Sequence, residues 1–300
     1  MPHPIPYQGS KRQLSSAILS FIPKGKYERL VEPFAGSAAI TLAAAKGRIC
    51  SRFILGDVLP PLVGIWQSIL DAPERIIEEY GILWRSQLSN PRQRFNQIRQ
   101  EFNVDKDPAK LLFLLARCVK NSVRFSRNGE FNQSADKRRL GVRPETLKSE
   151  ILGAHGLLVG RCEVRCADFR ATLRTAGPRD VVYMDPPYQG VSNGRDSRYV
   201  EGVVRETMVS ALTDLNDRGV QYLLSYDGIC GEKSYGEPLP PSLGLKRVLL
   251  EAGRSSQATL SGRKWRTTES LYLSPGLCED DNLPDLIRRG VHGNQLALFR

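Results

Sequence analysis

The chain has 300 residues with 41% apolar content, enough for a full buried core and too much for global disorder. Lys and Arg outnumber Asp and Glu by 43 to 32, and the resulting net charge of +11 suits a polyanionic partner, because each neutralised phosphate releases counterions. Six cysteines without a CxxC pair and only three histidines argue against a metal site or a disulfide framework.

The start, MPHPIPYQGSKRQL, has no apolar signal-peptide stretch, and no window reaches transmembrane length. A cytoplasmic protein with no membrane partner is expected. Tyr7-Gln-Gly-Ser-Lys11 combines an aromatic ring, a turn glycine and a lysine. It can hold a charged amino-acid group, and read alone it is equally a solvated basic N-terminus.

Residues 28–57 read as strand, turn, helix, strand. Arg29–Glu32 is a short strand ending at Pro33, Ala35-Gly36-Ser37 is a small-residue turn, and Ala38–Ala45 is a run of strong helix formers. Phe53–Leu55 starts the next strand, which ends at Asp57. This βαβ opening predicts a parallel sheet. The turn Glu32-Pro-Phe34-Ala35-Gly36-Ser37 lets a ligand approach the backbone, and it lacks the GxGxxG pattern of nicotinamide and flavin enzymes. Asp57, 21 positions after Gly36, stands where an acidic residue meets ribose hydroxyls in a nucleotide-binding fold; the alternative is a turn cap.

From Pro60 to about Lys148 the apolar spacing becomes helical, as in Leu62, Ile65, Trp66 and Ile69, and a helical insertion is expected. Within it, residues 117–144 carry eight Lys or Arg against two acidic residues. Asn128-Gly129, flanked by Val123-Arg124-Phe125 and Glu130-Phe131-Asn132, is a tight-hairpin signal. A two-stranded ribbon fits the major groove of duplex DNA, where Arg reads guanine and Asn reads adenine; the plainer alternative is a solvated basic loop.

Strands return at 163–165, 181–184 and 222–225, and Lys246–Leu250 with Glu269–Leu273 is expected as an antiparallel hairpin. Cys162 and Cys166 fall in a strand-like run and read as core thiols. Asp185-Pro186-Pro187-Tyr188 directly follows the apolar strand VVYM. Ligand chemistry in open α/β sheets occurs at that end of the strands. An aromatic amine is a poor nucleophile, and acceptors on both its N–H groups favour a more reactive nitrogen. The Asp185 carboxylate and the Pro186 carbonyl can supply them. Two prolines make the turn rigid, and Tyr188 offers a stacking face for an extruded base. Gly190–Arg198 and Ser255–Arg266 read as loops suited to a lid and a phosphate contact.

In order, PYQGSK, VEPFAGSAA, GDV, a later DF and MDPPY resemble the Dam-type (alpha-class) DNA adenine-N6 methyltransferases over residues 5–274. The resemblance implies an α/β, Rossmann-like methyltransferase fold: a mixed sheet with an inserted, mainly helical DNA-recognition domain carrying a β-hairpin. The catalytic domain would comprise 1–58 and 146–274, the recognition domain 59–145 with its hairpin near 122–133, and a flexible tail 275–300. Implied too are S-adenosylmethionine as methyl donor and double-stranded DNA as partner. Tyr7 and Lys11 would contact the donor, with Lys11 on its carboxylate. Glu32, Phe34, Ala35, Gly36 and Ser37 would form its loop, Asp57 would take the ribose, and Asp168 and Phe169 would bracket the donor's adenine. Asp185, Pro186, Pro187 and Tyr188 would hold the target base, with Asp185 also bordering the donor. Asn121, Arg124, Phe125, Arg127, Asn128, Phe131, Asn132, Lys137, Arg138 and Arg139 would face DNA, with Ser126 where the family carries asparagine. The rival readings are cytosine N4 as target, an RNA amine, and a catalytically silent DNA-binding module.

The terminal Gln295-Leu296-Ala297-Leu298-Phe299 resembles the short peptide by which bacterial replication proteins bind the polymerase sliding clamp. The same apolar residues also suit packing on the chain's own sheet. A cognate restriction endonuclease is the remaining partner considered.

Overall fold

The computed structural model describes residues 1–126, 128–187, 203–230, 233–235, 239–254, 266–277 and 295–298. Among them, the helices are α1 (Ser15–Leu19), α2 (Ala39–Gly47), α3 (Pro60–Asp71), α4 (Pro73–Ser86), α5 (Pro91–Asp105), α6 (Pro108–Arg117), α7 (Pro144–Leu158), α8 (Phe169–Leu173) and α9 (Arg205–Asp217). The strands are β1 (Arg29–Glu32), β2 (Arg52–Asp57), β3 (Cys162–Cys166), β4 (Asp180–Met184), β5 (Gln221–Cys230), β6 (Lys233–Tyr235), β7 (Lys246–Arg254), β8 (Arg266–Leu273) and β9 (Gln295–Leu298).

One sheet runs in the order β3-β2-β1-β4-β5-β8-β7-β9, with β6 on β5. The pairs β2–β3, β1–β2, β1–β4 and β4–β5 are parallel. β8 is antiparallel to both β5 and β7, so the expected 246–250 and 269–273 hairpin is present. The mixed α/β class agrees with expectation.

Alternation along the central strands explains the two layers of core. Leu30, Val181 and Tyr183 belong to one apolar cluster, while Val31, Val182 and Met184 belong to another that includes Leu173 of α8 and Met208 and Leu212 of α9. β4 is buried along its whole length, as suits a central parallel strand covered on both faces.

The helical stretch after β2 is punctuated by proline. Each of α3 to α7 begins on one (Pro60, Pro73, Pro91, Pro108, Pro144), where the missing N–H costs nothing. These helices are continuous with the sheet core. Phe53 and Leu55 of β2 share a cluster with Trp66, Phe95, Phe102 and Phe113.

Two parts of the stretch expected as a loose tail belong to the fold. Leu277 is buried in a short turn, Pro275–Leu277, and β9 pairs in parallel with β7. Cys166, expected in the core, is exposed on the edge strand β3. Tyr188, Arg127, Phe299, the Gly190–Arg198 stretch and residues 255–265 lie outside the described residues. No helix among the described residues is long and apolar enough to cross a membrane.

Candidate active site

Because β3, β2, β1 and β4 run parallel, the segments that follow them gather along one edge of the sheet. Chain direction reverses around β1, since the chain moves from β1 outward to β2 and β3 before returning to β4 on the other side. Such a switch point leaves a crevice between the loops after β1 and β4. Those loops carry Phe34–Ser37 and Asp185–Pro187.

The loop after β1 is held by backbone groups. Ala35 N–H donates to the Gly56 carbonyl at 2.8 Å, and Gly36 N–H donates to Asp57 Oδ2 at 3.1 Å. Gly36 has φ +47°, a conformation that favours glycine, and a Cβ there would lie 3.4 Å from the Tyr7 ring. Tyr7 therefore packs on the bend itself. Ser37 Oγ donates to Ser10 Oγ at 2.9 Å, tying the N-terminal segment to the loop a second time. From the helical side, Trp66 Nε1 of α3 donates to the Gly36 carbonyl at 3.0 Å. Trp66 was visible in the sequence only as an apolar helix position.

Asp57 ends β2 half-buried, with Oδ1 accepting from Leu59 N–H at 3.0 Å. Burial raises its carboxyl above the usual range, opposed by the N–H groups of Leu59, Gly36 and Val58. A carboxylate has roughly four acceptor positions, so about one remains for a neutral hydroxyl. Phe34 stacks on Phe169 with ring centroids 5.2 Å apart, and Phe169 is buried in the second core cluster. Asp168 caps α8. It accepts from Arg170 N–H at 3.0 Å and from its guanidinium at 2.8 Å.

Glu32 lies beneath the loop, 3% exposed, and accepts from Thr41 N–H at 3.0 Å and Thr41 Oγ1 at 2.6 Å. It ties the end of β1 to the first turn of α2. Burial pushes its carboxyl up to about 8, opposed by the Thr41 hydrogen bonds and reinforced by the charge of Asp185.

At the end of β4, Asp185 Oδ1 is 2.9 Å from Lys11 Nζ, and the same ammonium lies 3.3 Å from Glu269 Oε2. Lys11 is 7% exposed. Lys11, expected on the carboxylate of the methyl donor, here faces two carboxylates of the chain itself. Glu269 comes from β8, whose register sets it opposite Gly228 near the carboxyl end of β5. Sequence reasoning identified its strand and missed its place in the site. Pro186 is buried and Pro187 half-buried beside Asp185. The loop bend, the acceptor at Asp57 and the flat aromatic pair together fit a nucleoside-bearing cofactor.

The basic segment is built on buried polar anchors. Ser126 N–H donates to the Glu130 carbonyl at 2.7 Å, Gly129 has φ +73°, and a single antiparallel bridge joins Phe125 to Phe131. The expected hairpin is thus a tight turn with one bridge. Phe125 and Phe131 are buried, and their rings pack edge-on at 5.8 Å beside Phe102. Their rings serve the core, and in this structure offer no face to a nucleic acid. Asn103 mimics a strand neighbour: Oδ1 accepts from Phe131 N–H at 2.8 Å and Nδ2 donates to its carbonyl at 3.2 Å.

Asn121 is committed internally. Its Nδ2 donates to the Leu115 carbonyl at 2.7 Å, and its own carbonyl accepts from Gln8 N–H at 2.9 Å. Buried Gln87 accepts from Arg117 Nε at 2.8 Å and donates to the Leu140 carbonyl at 2.9 Å, while Arg117 reaches the Asp136 carbonyl. On this base Asn128, Asn132, Lys137, Arg138 and Arg139 are exposed, and Arg124 is half-buried.

Residues 7–240 match the family model of the D12 class N6 adenine-specific DNA methyltransferases. Among named relatives, the chain is 29% identical to the DNA N-6-adenine-methyltransferase of Escherichia phage P1 over 74% of its length. It is 28% identical to the Retron Ec67 DNA adenine methylase of Escherichia coli over 63%, and 24% identical to the Type II methyltransferase M.FokI of Planomicrobium okeanokoites over 74%. The matches span 29%, 64% and 35% of those proteins. The family match covers the loop after β1, Asp57 and Asp185 alike, and on that extent this chain belongs to the D12 class N6 adenine-specific DNA methyltransferases.

Proposed function

We propose that the chain transfers a methyl group from S-adenosylmethionine to N6 of an adenine extruded from a short duplex DNA sequence. The observation that carries this is the meeting, across the β1/β4 crevice, of a carboxylate at Asp185 with a nucleoside-shaped loop at Phe34–Ser37 and Asp57. Bound there, S-adenosylmethionine supplies an electrophilic methyl group on a sulfonium sulfur. Tyr7 and the Gly36 bend would line its pocket, Asp57 would accept a hydrogen bond from its ribose, and Asp168 with Phe169 would border its adenine ring.

The Asp185 carboxylate accepts one N6 hydrogen of the target, and the Pro186 carbonyl accepts the other. The Asp185 carboxylate would take the proton that N6 gives up on accepting the methyl group. Positioning supplies much of the acceleration expected for two held reactants. Extruding the base costs about a few kcal/mol, and Tyr188 is the stacking face we assign to it.

Duplex DNA would lie against the module at 59–145, contacted by Arg124, Arg127, Asn128, Asn132, Lys137, Arg138 and Arg139. Asn121, Phe125 and Phe131 would support that surface from beneath. A cytoplasmic place of action follows from that substrate. We further propose capture of Gln295, Leu296, Leu298 and Phe299 by the polymerase sliding clamp, which would draw Gln295–Leu298 off β7. Retention on clamp resin unchanged by deleting residues 295–300 would refute it. From the likeness to the Type II methyltransferase M.FokI we also propose a cognate restriction endonuclease as a second partner.

The decisive experiment is expression in a methylation-free bacterial host followed by sequencing of modified bases. N6-methyladenine at a fixed position of a short motif is the expected result. N4-methylcytosine, or no modification from a folded and donor-binding protein, would overturn the proposal.

A further inference from the structure

We propose that Glu269 is a positioning residue for methyl transfer, acting through Lys11 to leave the Lys11–Asp185 pair with net negative charge and Asp185 correctly placed. The inference rests on the methyltransferase reading. Its basis is the sharing of one nearly enclosed ammonium by two carboxylates, 2.9 Å to Asp185 and 3.3 Å to Glu269. Lys11 is 7% exposed, whereas the Asp185 and Glu269 side chains are 21% and 25% exposed. Glu269 Oε2 itself is enclosed and has no hydrogen-bond donor among the described residues, which leaves the Lys11 ammonium as its counter-charge there.

The charges decide the role. Lys11 and Asp185 alone would sum to zero, and an ammonium committed to Asp185 competes with the substrate amine for that carboxylate. During transfer, positive charge grows on N6. A neutral ion pair beside it offers little stabilisation; a trio with net charge −1 offers more, because the surroundings are poor in water. Glu269 takes part of the Lys11 charge and restores that −1. Glu32 adds no compensating charge near neutral pH, since burial pushes its carboxyl up to about 8.

The placement of Glu269 is structural. β8 runs antiparallel to β5, and the register shifts between Ser225 and Gly228, where β5 pairs past the irregularity with Glu269. Arg247 Nε of β7 donates to Ser270 Oγ at 2.9 Å, anchoring the next residue. A two-strand shift away from the parallel half thus carries a carboxylate back to the loop after β4.

The test compares Glu269→Gln, Glu269→Asp and the wild type. For Glu269→Gln the single-turnover rate should fall on the order of tenfold, from the loss of one unit charge several ångströms from the reacting nitrogen. KM for DNA and extrusion of the target, read from 2-aminopurine fluorescence, should stay within about twofold. Glu269→Asp should recover most of the rate. In the protein alone, reductive methylation of the Lys11 amine, followed by mass spectrometry, should speed up several-fold in Glu269→Gln, because the amine loses a counter-charge.

Wild-type rates in Glu269→Gln would overturn the proposal. So would equal losses in both variants with a raised KM and unchanged Lys11 labelling, which mark a merely structural residue. A wild-type protein that methylates nothing would instead sink the methyltransferase reading, and the labelling result would still judge the ion-pair arrangement.

Discussion

The crevice edge and the basic segment use polar residues in opposite ways. At the crevice, ionisable groups are enclosed: Lys11 lies between two carboxylates, Glu32 accepts from Thr41, and Asp57 accepts from Gly36 and Leu59. Around the segment at 117–142, Arg117, together with Gln87 after α4 and Asn103 of α5, holds backbone, while Lys137, Arg138 and Arg139 stand in solvent. The first arrangement sets a local field at the carboxyl ends of β1, β2 and β4. The second presents a charged surface on a rigid base, as suits a polyanion whose contacts are spread over many phosphates.

Four substitutions sharpen that contrast, taken from the largest effect down. Asp185→Ala should remove methyl transfer by about a thousandfold or more while sparing most of the DNA affinity, as read by single-turnover assay and filter binding. Substantial residual turnover would mean that the crevice carboxylate is not the acceptor. Phe131→Ala should act through folding, costing about 3–5 kcal/mol in denaturant unfolding. A stable variant with selectively weakened DNA binding would return that ring to the interface.

Arg138→Ala should leave stability within about 0.5 kcal/mol and weaken DNA of any sequence alike, with the salt dependence reduced by about one counterion. A change confined to one base position would instead mark a reader of sequence. The smallest effect concerns Glu32. Its carboxyl is raised when folded, so the unfolded chain loses its proton first, and wild-type stability declines as pH rises from about 4.5 to about 8. Glu32→Gln lacks that slope. Its melting temperature should improve relative to wild type between pH 5 and pH 8, and parallel curves would show that Glu32 is ionised throughout.

Much of the sheet was legible in the chain. The β1-α2-β2 opening, the strand before Asp185 and the β7/β8 pair all carry apolar runs bounded by Pro, Gly or Asp, a local signal. The loop after β1 and the Asp185 turn were legible for the same reason, since each is marked by its neighbours in sequence. Trp66, Glu269 and the Gln8–Asn121 contact were not. Each acts through one hydrogen bond or ion pair across a long separation, and no periodicity encodes such a partner. Phe125 and Phe131 were misjudged in the other direction. A motif marks residues that recur together, and it does not distinguish the ring that supports a turn from the side chain that leaves it.

The bond from Gln8 N–H to the Asn121 carbonyl has a thermodynamic consequence. Gln8 lies between Tyr7, which packs on the Gly36 bend, and Lys11, which faces Asp185. Asn121 begins the segment that leads into the basic turn. A ligand that shifts either end does work on the other through this tie. By linkage, whatever one occupant gains from its neighbour, the neighbour gains equally in return.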